Sequence, residues 1–193
     1  MTELSLKQFV PSEVCLKCDG CCRYKEEDSA WRPKLGQDEQ ADLAALISVG
    51  DVLDGQGYIK AIQTCGPHGP QTGHSQELGP HAGHSQELGK HFCRFLNQGD
   101  NTCGIYTKRP FECSLYPFII SKTHDAVKVY AHLGCPYVQD HLPRADFDAY
   151  AAYLKEFFRR LETKEFLSRN KSMFHEYSFY APELLHLFDL LFL

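Results

Sequence analysis

The stretch that decides the fold is CLKCDGCC, residues 15–22, in which cysteine fills half of the positions. CGIYTKRPFECSLYPF, residues 103–118, carries two more cysteines, while FCRFL and GCPY supply Cys93 and Cys135. The chain has 9 cysteines, an odd number, so internal disulfides cannot pair them all. Clustered cysteines in a reducing compartment are more often metal ligands or catalytic groups than cross-links. We therefore predict a metal centre, with a secreted disulfide scaffold as the alternative.

The composition limits the classes of protein to which the chain can belong. With 193 residues, 43% of them hydrophobic, the chain is long enough for one domain with a real core. Its net charge of −5 argues against a nucleic-acid partner. No signal-peptide pattern follows Met1, and the apolar run at 184–193 is too short to span a bilayer and holds His186 and Asp189. We expect a cytoplasmic protein with no membrane partner.

The consecutive pair Cys21 and Cys22 limits how the thiols can be used. A C-x2-C step brings two thiolates to the same ion, whereas neighbouring side chains diverge in an extended chain and lie about 100° apart on a helix. Two readings stay open. Either the pair serves two centres, or one thiol is a ligand and the other has a second role.

The spacing of the cysteines bears on the identity of the metal. Structural zinc sites usually use two C-x2-C knuckles. No knuckle is present among the later cysteines, which lie ten residues apart: Cys93, Cys103 and Cys113. The bacterial ferredoxin run is C-x2-C-x2-C with a Cys-Pro elsewhere. The chain matches that run with Cys15, Cys18, Cys21 and Cys135, which Pro136 follows. We predict an iron–sulfur cluster, of the 4Fe–4S type, with zinc as the alternative.

Several neighbours suit such a centre. Arg94 and Arg109 are candidate cofactor-binding residues, because a guanidinium offsets thiolate charge and donates hydrogen bonds to sulfur. Pro110 predicts the start of a short helix with Cys113 in its first turn, aimed at the anionic site. Cys65 lies outside both groups and is either an ordinary cysteine or a redox partner.

Taken together, these motifs resemble the YkgJ-type CxxCxxCC cysteine-cluster family, a zinc- or iron-chelating domain. The resemblance covers residues 12–137. It implies metal-linked roles for eight cysteines: Cys15, Cys18, Cys21, Cys22, Cys93, Cys103, Cys113 and Cys135. The family is distantly related to flagellin lysine N-methylase, which implies that such a cluster can sit in a methyl-transferring enzyme. This chain has no G-x-G-x-x-G run after a predicted strand.

Three functions follow as hypotheses. The first is an iron–sulfur or iron protein with a redox or metal-handling role, serving an unidentified protein or redox partner. The second is a protein-modifying enzyme related to the lysine N-methylase. The third is a zinc-stapled structural or interaction module. For the enzyme, the candidate acid–base groups have no supporting spacing: His132, Tyr106, Tyr116, Glu26 and Asp28.

The periodicity of apolar residues predicts a single α+β domain over residues 1–193. Short hairpins and loops wrap around the cysteines and pack against a helical C-terminal part at 144–193. A helix is expected at 37–49 with Asp38 as its N-cap, and a final short helix at 182–191.

Two hairpins and one long helix are predicted from local patterns of turn and apolar residues. Turn residues 97–101 and 122–125 each separate two apolar segments, which is typical of hairpins. One helical stripe repeats at intervals of three and four: Phe147, Tyr150, Ala151, Leu154, Phe157, Phe158 and Leu161.

A tandem duplication interrupts the pattern. PQTGHSQELG at 70–79 is followed at once by PHAGHSQELG at 80–89. Two copies are too few for a repeat fold, and this composition cannot pack a core. We predict a mobile Gly/His-rich insertion at 66–90, whose histidines are a weaker candidate for metal binding.

Overall fold

The computed structural model describes residues 4–18, 20–45, 47–63 and 90–191. The predicted insertion at 66–90 lies outside the described residues except for Lys90, and Cys65 lies outside them as well. Among the described residues, no helix has the length and apolar character needed to cross a membrane.

Short helices and small antiparallel sheets alternate along the chain. The helices are α1 (Ser12–Cys15), α2 (Gln37–Ala44), α3 (Val49–Val52), α4 (Phe111–Leu115), α5 (Pro136–His141), α6 (Ala145–Arg159) and α7 (Leu161–Arg169). The strands are β1 (Arg23–Tyr24), β2 (Ala61–Gln63), β3 (His91–Cys93), β4 (Leu96–Asn97), β5 (Thr102–Cys103), β6 (Phe118–Lys122), β7 (Val127–His132) and β8 (Leu184–Asp189). The sheets have the orders β1-β3-β2, β4-β5 and β6-β7-β8. The α+β prediction is confirmed.

The sheet β6-β7-β8 and helix α6 form the larger hydrophobic core, which we call the C-terminal cluster. Its most deeply buried members include Phe118, Val129, Val138, Leu154, Phe157, Phe158 and Leu167. The predicted stripe on α6 is confirmed from Phe147 to Phe158, since side chains at i, i+3 and i+4 share one helix face. Leu161 is 69% exposed, because α6 ends at Arg159 and an extended residue, Arg160, starts a separate helix.

The predicted final helix at 182–191 is wrong. A 3-10 helix, Ser178–Glu183, leads into β8, which pairs antiparallel with β7. Flanking bonds complete the ladder: the Leu133 N–H donates to the Glu183 carbonyl at 2.8 Å, and the Leu190 N–H to the Val127 carbonyl at 2.7 Å. The edge of β7 offers backbone partners that no local pattern reveals, and these satisfy the segment as a strand.

A second hydrophobic core, the N-terminal cluster, packs around the sheet β1-β3-β2. Its buried residues are Tyr24, Leu35, Leu43, Val52, Leu53, Ile59, Ala61, Phe92, Cys93 and Leu96. The helix predicted at 37–49 is split into α2 and α3, and its N-cap is Gly36 instead of Asp38. Asn170 explains the glycine, because a Cβ on Gly36 would lie 2.3 Å from Asn170 Oδ1.

The two clusters are joined through α4. Glu39 Oε1 accepts a hydrogen bond from the Phe111 N–H at 2.6 Å, and Glu112 Oε2 accepts one from the Lys34 N–H at 2.7 Å. Phe111 itself is buried in the C-terminal cluster. As a result α4, which carries Cys113, is fixed at the junction of the two clusters.

Both predicted hairpins are confirmed. In the first, β4 and β5 place Leu96 opposite Cys103 and Asn97 opposite Thr102. In the second, β6 and β7 pair in a continuous antiparallel register. These turns are encoded locally, which is why the sequence was sufficient to find them.

Candidate metal centre

The eight cysteines that the structure describes are all free thiols. Cys93 and Cys135 are buried, Cys18 is exposed, and the others are half-buried. They come from the end of α1 and the turn after it, a 3-10 helix at Gly20–Cys22, β3, β5, α4 and the start of α5. The expected cysteine-rich core is therefore a set of mostly half-buried thiols along the junction of the two hydrophobic clusters. Two of them, Cys93 and Cys135, lie in the apolar interior.

One group of thiols gathers around the end of α1. The Cys18 N–H donates to the carbonyls of Val14 at 3.0 Å and Cys15 at 3.2 Å, which closes the C-x2-C turn. A Cβ on Gly20 would lie 3.6 Å from Cys18 Sγ, so the backbone curls against this sulfur. Cys135 is the N-cap of α5, and its thiol has the charges of Cys18 and Cys15 as neighbours.

A second group gathers around the sheet β1-β3-β2. Arg23 pairs with Phe92 and Tyr24 with His91, so Cys22, directly before β1, and Cys93, directly after Phe92, lie at the same end of this pairing. Cys93 has Cys22 and Cys103 as electrostatic neighbours. Cys113 on α4 has three such neighbours: Cys93, Cys22 and Cys103.

The pair Cys21 and Cys22 lies where the two groups meet. The Cys21 and Cys22 thiols are hydrogen-bonded to each other, and Cys21 also has Cys15 and Cys113 as neighbours. One of these neighbours belongs to the group at α1 and the other to the group at the sheet. Sulfur atoms from positions more than a hundred residues apart are thus brought into one neighbourhood.

Without a cation this neighbourhood opposes ionisation of the thiols. Burial, reinforced by the charge of Cys22, raises the pKa of the Cys93 thiol to about 12. Burial and the charges of Cys93 and Cys22 raise the pKa of Cys113 well above its usual range. Hydrogen bonding to Cys22, and then burial, have the same effect on the pKa of Cys21. A metal ion would have to displace these protons, and its charge would relieve the repulsion.

Tyr24 is a site residue that the sequence did not reveal. Its side chain is 3% exposed, and its hydroxyl lies close enough to the Cys93 thiol to lower the pKa of that thiol, but it makes no well-formed hydrogen bond in the part of the chain that is described. Burial raises the pKa of Tyr24 well above its usual range, and the charges of Cys93, Cys22 and Cys113 add to the effect. Leaving such a group unpaired costs about 1–3 kcal/mol. A metal-bound sulfur would accept this O–H, so the orphaned hydroxyl fits a sulfur-ligated centre.

A second tyrosine, Tyr116, is buried beside the thiols but has a partner. Its hydroxyl lies 3.0 Å from His132 Nδ1, and His132 Nε2 lies 3.3 Å from Glu183 Oε2. Trp31 stacks on the imidazole with ring centroids 4.2 Å apart. Burial lowers the pKa of His132, opposed by Glu183. Burial raises that of Tyr116, and the charge of Cys21 adds to this.

The other predicted acid–base groups lie elsewhere. Glu26 and Asp28 are exposed on the turn after β1. The ring of Tyr106 lies under the Arg109 guanidinium at 4.3 Å, and its hydroxyl donates to Gln8 Oε1 at 3.3 Å. Of the five candidates, the structure joins Tyr116 and His132 in one hydrogen-bonded chain.

Arg109 faces the cluster, whereas Arg94 is exposed. The Arg109 Nη2 donates to Gln8 Oε1 at 2.6 Å and its Nε to Ser114 Oγ at 3.3 Å, which holds the side chain in place. Burial raises the pKa of Cys15, and the charge and hydrogen bond of Arg109 oppose this rise. The cofactor-binding role of both arginines stays a prediction.

The geometry of the thiols is not that of a finished coordination sphere. Within the described residues, no group of three or more His, Cys, Asp or Glu side chains is already arranged to hold a metal ion. The chemistry of the donors nevertheless fits, since they are free sulfurs that meet beside an unpartnered hydroxyl. Binding would be coupled to rotation of the cysteine side chains between staggered rotamers.

Comparison with known proteins agrees with a metal-binding role for the cysteines. A family model named CxxCxxCC, described as "Putative zinc- or iron-chelating domain", matches residues 14–136. The match spans more than half of the chain, and the protein belongs to this family. A metal-binding role is supported at this level. No curated protein and no solved structure matches the chain.

Proposed function

We propose that the chain holds an iron–sulfur cluster through its clustered cysteines and uses it for electron transfer or metal handling. One observation carries the proposal: free thiols from six separate segments meet in one neighbourhood, beside a buried tyrosine hydroxyl that makes no well-formed hydrogen bond among the described residues. Such a set has no evident use as disulfides or as core packing. It is a donor set for soft metal ions.

The choice of iron over zinc rests on spacing and placement. Cys15 and Cys18 are joined by a C-x2-C turn, and Cys135, which precedes Pro136, lies among their electrostatic neighbours. This is the ligand pattern of the ferredoxin run, in which a Cys-Pro thiolate joins three closely spaced cysteines. The later cysteines sit singly on a strand, a strand and a helix, so they offer no zinc knuckle.

The surroundings suit a tuned redox centre. Hydrogen bonds to sulfur, local charge and burial set the reduction potential of an iron–sulfur cluster. Arg109 supplies charge beside Cys15, and Tyr24 supplies an O–H near Cys93 and Cys22. Cys18 is exposed and gives an approach for an electron-transfer or metal-delivering partner. A cytoplasmic location, where thiols stay reduced, is part of this proposal.

The test is anaerobic purification, followed by measurement of iron, acid-labile sulfide and visible absorption. We expect a brown protein with iron and sulfide in equal amounts. A colourless protein that holds zinc after anaerobic reconstitution with iron and sulfide would overturn the assignment. The control is a variant in which Cys15 and Cys18 are both replaced by serine, which should lose iron and sulfide together.

A zinc-stapled module is the second candidate, favoured by the small size of the N-terminal cluster. Its strands β1 and β3 have 2 and 3 residues, too short to be stable by pairing alone. Structural zinc supplies folding free energy to small domains of this kind. In that case the protein is colourless, and chelation unfolds the N-terminal cluster without removing any redox signal.

A further inference from the structure

Building on the proposed function, we infer that the eight cysteines form two four-sulfur centres that meet at the Cys21–Cys22 pair. The first centre consists of Cys15, Cys18, Cys21 and Cys135. The second centre consists of Cys22, Cys93, Cys103 and Cys113. The class of ligand is a thiophilic metal ion or an iron–sulfur cluster at each centre.

The first argument is burial. Cys135 is a member of the C-terminal cluster, whereas Cys93 is a member of the N-terminal cluster and Cys22 packs against it. The two buried cysteines therefore belong to different hydrophobic cores. If a single four-ligand ion bound both buried cysteines, a sulfur from each hydrophobic core would have to reach the same ion.

The second argument is the register of the strands. The pairing of β1 with β3 places Cys22, which directly precedes β1, and Cys93, which directly follows Phe92, at the same end of the ladder. Two residues separate Cys93 from Leu96, which pairs with Cys103 across the β4-β5 hairpin. The Gly104 N–H donates to the Phe95 carbonyl at 2.8 Å and closes this hairpin. Backbone geometry thus brings three thiols of the second centre together.

The fourth thiol of that centre is supplied by α4. Glu112 and Phe111 hold α4 against the N-terminal segment through the hydrogen bonds to Lys34 and Glu39. Cys113 directly follows these two residues and has Cys93, Cys22 and Cys103 as its neighbours. All three are members of the second centre.

The first centre is assembled by turns. The C-x2-C turn after α1 presents Cys15 and Cys18, and the Cys135 N–H donates to the His132 carbonyl at 3.2 Å where β7 passes into α5. Phe9 holds the N-terminal segment against that region, since its ring lies 5.4 Å from Phe118 and 5.3 Å from Tyr137. The segment before α1 is thereby packed on the same core that contains Cys135.

The consecutive pair lies where the two centres meet, with its thiols in contact and its residues leading into different elements. Cys21 and Cys22 end a 3-10 helix at Gly20–Cys22, in which successive side chains diverge by about 120°. Cys22 leads directly into β1 and so takes the side of the second centre. Both members of the pair have Cys15 as a neighbour, and Cys21, the strongest thiol neighbour of Tyr116, is assigned to the first centre.

Each centre also has one buried tyrosine. Tyr24 has Cys93, Cys22 and Cys113 as its strongest thiol neighbours, and Tyr116 has Cys21, Cys135 and Cys18. Tyr24 also has Cys21 as a weaker neighbour and Tyr116 also has Cys22, so the two sets share the Cys21–Cys22 pair, and their other members follow the division into second and first centres. We assign each tyrosine as a positioning residue for the sulfurs it faces.

Cadmium alone tests the division without any substitution. The wild-type chain is reduced, stripped of metal and titrated with ¹¹³Cd²⁺, which binds thiolates and is observed by NMR. We expect two cadmium ions per chain and two resonances in the range of four-sulfur coordination, without coupling between the ions. One resonance at saturation, or two coupled ions sharing sulfurs, would overturn the division.

Matched double variants locate the two centres. Replacing Cys15 and Cys18 by serine should remove one resonance and half of the bound cadmium, and replacing Cys93 and Cys103 by serine should remove the other. Cys65→Ser, which lies outside both sets, is the control and should keep both. Loss of both resonances from either double variant, with near-ultraviolet circular dichroism showing a folded chain, would overturn the proposal.

The outcomes also separate this inference from the proposed function. If cadmium gives two centres but anaerobic protein never acquires iron and sulfide, the division stands and the iron–sulfur assignment fails. If iron and sulfide are present but the double variants lose all metal together, the assignment stands and the division fails. Single variants Cys21→Ser and Cys22→Ser should each affect a different resonance, and an effect on the same one would refute the assignment of the pair.

Discussion

The two hydrophobic clusters differ in what stabilises them. The C-terminal cluster rests on a 15-residue helix and strands of 5 and 6 residues, with Phe118 and Leu154 fully buried. The N-terminal cluster rests on strands of 2 and 3 residues, and each cluster has one buried cysteine, Cys93 here and Cys135 in the C-terminal cluster. Hydrophobic burial scales with apolar area, so the long helix and longer strands stabilise the C-terminal cluster through their own side chains, and the proposed metal centre would add most to the N-terminal cluster.

The two clusters therefore differ in the source of their stability, which is apolar burial in the C-terminal cluster and, in our proposal, metal binding in addition in the N-terminal cluster. The contacts of α4 with Lys34 and Glu39, and of Asn170 with Asp38, join the two clusters. The N-terminal cluster is therefore attached to a preformed support. Metal binding then has to order only the cysteine-bearing segments.

Removal of the metal should have the largest effect, and it should be local. At a thousandfold excess over Kd, a bound metal stabilises by about 4 kcal/mol. Chelation should therefore raise amide hydrogen exchange at Ile62 and Phe92 in the sheet β1-β3-β2 by a corresponding factor, while Val129 in β7 stays protected. Equal loss of protection in both sheets would contradict the division of labour between the clusters.

Leu154→Ala should have the next largest effect. Leu154 is 0% exposed on α6, so its truncation leaves a cavity and should lower the free energy of unfolding by about 3 kcal/mol. Urea denaturation of the metal-loaded and metal-free proteins should show the same loss. Leu161→Ala, at a 69% exposed position, is the matched control and should change stability by less than about 0.5 kcal/mol.

Asp54→Asn should destabilise the N-terminal cluster by about 1–2 kcal/mol at neutral pH. Asp54 Oδ1 accepts hydrogen bonds from the N–H groups of Gln56 and Tyr58, and its Oδ2 accepts one from Arg32 Nη1 at 2.9 Å. Burial raises the pKa of Asp54, but these donors outweigh it, and the net pKa lies below the ordinary value of 3.8.

The destabilisation caused by Asp54→Asn should depend on pH in a defined direction. A carboxyl with a lowered folded-state pKa stabilises the fold above its unfolded pKa, and this contribution is lost as pH falls through the folded value. The difference between wild type and Asp54→Asn should therefore be full at neutral pH and should shrink in acid. Asp51→Asn, at an exposed position on α3, should show no such trend. A gap that stays constant down to strong acid would contradict the role of the charge.

Tyr24→Phe should have the smallest effect, and its direction should depend on metal. In the metal-free protein the substitution removes a buried hydroxyl without a partner, so stability should stay the same or rise by about 1 kcal/mol. In the loaded protein it removes a donor to sulfur, so metal affinity should fall. Denaturation with and without metal measures both.

Tyr58→Phe is the matched control for that substitution. The Tyr58 hydroxyl has a partner, His175 Nδ1, at 3.0 Å. Its removal should lower stability by a similar amount whether or not metal is present. If Tyr24→Phe instead destabilised the metal-free protein, its hydroxyl would have a partner there and would not be reserved for a metal-bound sulfur.

Local patterns were sufficient for much of the fold. The stripe from Phe147 to Phe158 and the two hairpins depend on residues close in sequence, and the structure confirms them. The run at 184–189 has helical as well as strand character, and a distant edge, that of β7, decided between them. Gly36 replaced Asp38 as the N-cap because Asn170, 134 positions further on, occupies the space a side chain would need.

The candidate site likewise has features that the sequence predicted and features that only the tertiary structure decided. By its cysteines and their spacing, the sequence determined the family, because thiol chemistry is a property of the residues themselves. It could not show which thiols are neighbours, nor that Tyr24 would be buried beside them without a partner. Those facts were decided by the tertiary structure, since the neighbours of a buried group are set by strand register and core packing between segments far apart in the chain.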